Sequence, residues 1–158
     1  MWCADMIIIA PAGITHMVKL CDVAEVLESS NSTVRFYYDR KEDEVVCIID
    51  AFLLVQKSIL RKVESDNGSK YVIIEPQCSI AVDAMASFAE SLPDGELRED
   101  IMSAVSAGGV RRFMDKVESA EMLDRWREFR AGFVADRARG WCLSHDVPVS
   151  ERWLRSPL

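Results

Sequence analysis

"STVRFYYDRKEDEVVCIID", residues 32–50, decides how this chain folds. Its first half alternates: Val34, Phe36 and Tyr38 share one face while Arg35, Tyr37 and Asp39 share the other, the two-residue period of a strand. The polar stretch Arg40, Lys41, Glu42, Asp43 interrupts it, and a β-branched run, Val45, Val46, Ile48 and Ile49, follows. Two such runs around a short polar stretch predict an antiparallel hairpin with a loop of about four residues.

Working outward, residues 17–30 place Leu20, Val23, Ala24 and Leu27 at helical spacing with acidic residues opposite, a short amphipathic helix. Residues 51–64 return to that period through Phe52, Val55, Ile59 and Val63 and are apolar enough to predict substantial burial. Asn67-Gly68 is a turn signal, and a third strand from Tyr71 stops at Pro76, which cannot donate to a ladder. Everything beyond Pro76 reads as helical. Strands first and helices later predict an α+β fold, a small, mainly antiparallel sheet of about three strands covered on one face, followed by a helical C-terminal half.

In that half Ile80, Ala84, Phe88 and Leu92 form one stripe closed by Pro93. Asp94 stands as N-cap of the next helix, which turns Leu97, Ile101, Ala104 and Val105 inward as far as Gly108-Gly109. Val110, Phe113, Met114 and Val117 repeat the pattern, and a long helix covers about residues 119–143. With Met122 at zero and about 100° per residue, Leu123, Trp126, Phe129, Phe133, Val134 and Trp141 fall in an arc of roughly 140°. Arg130 and Arg137 fall inside it, each four residues from a tryptophan. A buried, unpaired guanidinium is costly, so each must snorkel, stack on an indole, pair with a carboxylate of the acidic first half or bind an anion.

The 158 residues suit one domain, and 49% apolar with 28% charged side chains describe an ordinary folded protein. The longest apolar run, residues 6–14, is too short to cross a bilayer and lacks a basic leader, so the reading is cytoplasmic, with no membrane partner. Five scattered cysteines without a C-x-x-C suggest neither a disulfide framework nor a zinc site. Charge is uneven: residues 1–108 carry 9 basic against 18 acidic side chains, and residues 109–158 carry 10 against 8, nine of the ten being arginine. Net acidity argues against nucleic acid as a partner.

Gly108 and Gly109 followed by Arg111 and Arg112 read in two ways, as a tight helix–helix corner or as an anion site on free helix N–H groups. Cys142, His145 and Asp146 are too few for a metal site or an activated thiol, and two histidines in the chain exclude a histidine-rich centre. The acidic loop around Asp39 to Glu44 lacks calcium-loop spacing. No cofactor is expected, no catalytic residue can be named, and the balance points away from an enzyme.

In order, "MVKLCDVAEVLE", "FYYDRKEDEVV", "YVIIEP", "FAESLPDGELREDI", "GGVRRFMDKV" and "DRWREFRAGFVADRARGWCLSHDV" resemble the short bacterial proteins grouped as the uncharacterised protein family numbered 0158. The resemblance spans about residues 17–147, implies a compact domain of bacterial type and implies no activity. Residues 1–16 then read as an extension outside the fold, with translation starting at Met17, and residues 148–158 as a tail.

The expectation for function is an interaction or regulatory module that engages another protein through Arg130, Arg137, Trp126 and Trp141, residue types that dominate interface energetics. The alternative is a small anion, such as a nucleotide or phosphate metabolite, held by Gly108, Gly109, Arg111 and Arg112.

Overall fold

The hairpin is built around its turn. Strands β2 (Val34–Asp39) and β3 (Glu44–Ile49) pair antiparallel with Tyr38 opposite Val45 and Asp39 opposite Glu44, leaving a four-residue loop. Asp39 is 3% exposed and holds the loop through the amides of Lys41 and Glu42, while Lys70 neutralises it at 2.9 Å. The Tyr38 hydroxyl donates to Asp43 at 2.5 Å. That buried phenol sits well above its ordinary pKa, first through burial and then through the Asp43 contact.

The structure is a computed structural model and describes residues 18–52 and 54–150. Its remaining described elements, in chain order, are β1 (Val18–Lys19), α1 (Leu20–Leu27), a 3-10 turn (Asp50–Phe52), α2 (Lys57–Ser65), β4 (Tyr71–Ile74), α3 (Ile80–Glu90), α4 (Glu96–Ser106), α5 (Val110–Ser119), α6 (Leu123–Ser144) and β5 (Val149–Ser150). The main sheet has the order β3-β2-β4, all antiparallel. The fold is α+β with a helical C-terminal half.

Two buried clusters organise it. On one sheet face, Phe36, Tyr38, Val45, Val72 and Ile74 pack against Leu20, Val23 and Leu27 of α1 and Val134, Ala138 and Cys142 of α6. Beyond the sheet, Phe88 of α3 meets Phe113 of α5 and Trp126 and Phe129 of α6 edge-on at centroid distances of 6.2, 5.3 and 5.3 Å. The second sheet face is partly covered: Tyr37, Ile48 and Tyr71 pack on Ile59, Leu60 and Val63 of α2.

Several expectations change. The run after β3 is not a buried helix. Residues 50–52 form a single 3-10 turn, α2 starts only at Lys57, and Phe52, Leu54 and Val55 are 56, 79 and 82% exposed. The cause is Gln56, whose side chain accepts from the Ile49 amide at 2.9 Å and donates to the Cys47 carbonyl at 3.3 Å. Those bonds tie the start of α2 to the edge of β3 and push the apolar residues between them outward. Asp94 does not cap α4; Gly95 occupies that position without a side-chain cap, and Asp94 pairs with Arg98 instead. Leu97 and Val110, expected inward, are exposed.

The stretch beyond Pro76 is not wholly helical, because Val18 and Lys19 pair in parallel with Val149 and Ser150. Lys19 was expected inside the first helix and Val149 in the tail. Residues 1–17 and 151–158, including the expected start at Met17 and most of the expected tail, lie outside the described residues.

Candidate functional site

The long helix α6 explains where its arginines go. Its buried stripe rotates: near its start Trp126 faces α3 and α5, whereas near its end Val134, Ala135, Ala138 and Cys142 face α1 and the sheet. The two faces average out along the helix, and the small residues Ala135, Ala138 and Cys142 carry the second one. Arg130 and Arg137 therefore stand beside the buried stripe, half exposed, instead of inside it. Both end on carboxylates of the acidic first half: Arg130 pairs with Glu28 after α1, and Arg137 lies 3.9 Å from Asp83 of α3. Neither stacks on an indole of the described residues. Arg137 sits over the Phe133 ring at 5.1 Å, and Trp141 stacks on His145 at 4.4 Å. Trp126 belongs to the core.

What these residues do form is a groove. α1, α3, α5 and α6 leave between them an open cleft of about 640 Å³. Its apolar part is Met85 and Ala81 of α3, Val110 and Met114 of α5, and Leu123, Trp126 and Val134 of α6. Val110, 57% exposed, stands at one lip. Glu25 and Glu28 line the α1 side, Glu118 closes the α5 end, and Arg127 and Arg130 line the α6 side. Arg127 is held by Asp124 at 2.9 Å and Arg130 by Glu28. Cys21 also lines the cleft, and burial followed by the neighbouring Asp22 raises its thiol pKa, which leaves it a poor nucleophile.

The Gly-Gly element makes the corner. Gly108 adopts φ +74°, the left-handed conformation that ends α4, and its amide reaches the Val105 carbonyl at 3.0 Å. Gly109 is N-cap of α5, and a Cβ there would stand 3.3 Å from the Arg112 Cβ. Arg111 and Arg112 are exposed. Arg112 shares a shallow depression with Asp100, Asp115 and Lys116, and Lys116 is itself paired with Asp100 at 2.5 Å. Two carboxylates in that depression oppose an incoming anion.

The Cys142, His145, Asp146 set is dispersed in its contacts. Cys142 is buried, and burial pushes its thiol up to about 11. The His145 Nδ1 lies 2.9 Å from the Trp141 carbonyl. Among the described residues no group of three or more His, Cys, Asp or Glu is placed to hold a metal, and no helix is long and apolar enough to cross a membrane.

The groove escaped the sequence reading because it is a relation between four helices. Exposed Val110 and half-buried Met114 are indistinguishable from core positions in a period count. Compared with known proteins, the chain matches no family model, no curated protein and no solved structure.

Proposed function

We propose that this chain is a non-enzymatic cytoplasmic interaction module that receives an apolar segment of a protein in the groove between α1 and the late helices. The observation that carries the reading is the groove itself, a solvent-open apolar cleft of about 640 Å³ floored by Met85, Met114 and Trp126 and rimmed by charge. Methionine suits a surface that moulds to a partner side chain, and a charged rim around an apolar floor is the usual anatomy of a protein interface. Arg130 contributes through the rim. Trp126 contributes by shaping the floor, and Trp141 has no part in it. Kinship with the uncharacterised bacterial family 0158 belongs to the same proposal and adds no activity to it.

The test is a photo-crosslinker in place of Val110 in the full chain, with the linked peptide mapped by mass spectrometry. Adducts to an apolar protein segment that vanish with Met114→Glu, but persist with Arg111→Ala, support the reading. Adducts indifferent to Met114→Glu, or no adduct, overturn it.

A further inference from the structure

The described chain starts at Val18, and Cys21, one turn further along α1, already lines the groove. The sequence ahead of Val18 carries the longest apolar run of the chain, residues 6–14, in which Met6, Ile7, Ile8 and Ile9 are consecutive. Between Asp5 and Lys19 stands no acidic side chain, no lysine and no arginine. The groove asks for an occupant of that chemistry. Its two guanidiniums are already answered, Arg130 by Glu28 and Arg127 by Asp124, and Glu25 on the α1 side is engaged as well. What stays open to water is the apolar part, with Val110 at the lip 57% exposed. An uncharged apolar segment covers that surface and leaves the ion pairs of the rim undisturbed.

We propose that the groove is filled by the chain's own residues 6–9, laid between α1 and α5 against Val110 and Met114. The inference rests on the groove reading above and names the segment. The lengths agree. The α1 wall runs from Cys21 to Glu28, about 10 Å of helix, and four extended residues span about the same distance. Residues 10–17 link the segment to Val18 with a reach of about 30 Å, enough to double back along α1, and they include Pro11 and Gly13, residues suited to a turn. So short a tether holds the segment at an effective concentration on the order of millimolar, so a weak apolar contact suffices to keep the groove closed. A partner segment entering the groove then has to displace residues 6–9 first, which makes them a built-in competitor.

A photo-crosslinker at position 110 of the full chain, in a mixture of ordinary and isotope-labelled copies, tests this. Linked peptides should join position 110 to residues 6–9 within one copy, at a yield that dilution does not change. Ile7→Asp with Ile8→Asp should abolish the link and speed iodoacetamide labelling of Cys21 severalfold, while exposed Cys78 reacts as before. Links between differently labelled copies, or to a different protein alone, overturn the proposal while leaving the groove reading in force; no link at all overturns both. A Cys21 labelling rate indifferent to the double substitution, or a natural protein whose intact mass places its first residue at Met17, overturns it as well.

Discussion

Replacing Phe88 by alanine should remove the anchor of the helical half. The ring is fully buried on α3 and meets three aromatic rings edge-on, those of Phe113, Trp126 and Phe129. Truncating a buried phenylalanine costs about 3–5 kcal/mol, and edge-to-face pairs add roughly 0.5–1.5 kcal/mol each beyond burial, so the loss belongs at about 5 kcal/mol. Phe88→Leu keeps most of the volume and loses only the ring contacts, so about 1.5–3 kcal/mol is expected. Against a total stability of about 5–15 kcal/mol the alanine variant is marginal. Urea unfolding followed by far-ultraviolet circular dichroism should lower the midpoint by ~2 M or more at unchanged slope. A loss under about 2 kcal/mol for Phe88→Ala, at the same slope, would refute the assignment of this cluster as the anchor. A split transition would refute the idea that both clusters unfold together.

Three further outcomes are expected. The Asp66 carboxylate accepts from the amides of Lys70 and Tyr71, and these bonds, Tyr71 first, hold its pKa below the ordinary value. The unfolded chain then binds the proton more readily, so this contribution is present above about pH 4 and is lost as the pH falls; Asp66→Asn should flatten the acid limb of a stability-against-pH curve. Iodoacetamide at neutral pH should label exposed Cys78 in the folded chain and reach buried Cys142, whose thiol stands near 11, only in denaturant, as peptide mass spectrometry would report. Gln56→Ala should strip the edge of β3 of its side-chain partner and raise aggregation on warming, read by light scattering, whereas Ser58→Ala on exposed α2 surface should not.

The hairpin was legible because its signals are local: alternation on both sides of a four-residue polar loop leaves one register. The stripe of α3, with Ile80, Ala84, Phe88 and Leu92 all buried, was legible for the same reason. Phe52 and Val55 misled because periodicity says which residues could share a face, not whether an element lies over that face; Gln56 decided the matter through two backbone hydrogen bonds. Arg130 and Arg137 were placed inside a stripe because only large apolar residues were counted, and the turn of the stripe toward Ala135, Ala138 and Cys142 went unseen. Their pairing with carboxylates of the acidic first half was foreseeable from charge; their avoidance of the indoles was not, since it depends on where Phe133 and His145 lie. The β1 and β5 pair was invisible: two residues at each end of the described chain carry no period.

That pair has a mechanical consequence. Val18 and Lys19 run alongside and parallel to Val149 and Ser150, and Val147 and Val149 are tucked against the sheet-side cluster. Tension applied at residue 18 and residue 150 drags the two strands past each other along their length, straining their bonds together, where an antiparallel hairpin pulled at its open end would unzip rung by rung. A stretched molecule is thus gripped in shear at the point where the pull enters, and α1 and α6 feel the load only after that grip slips.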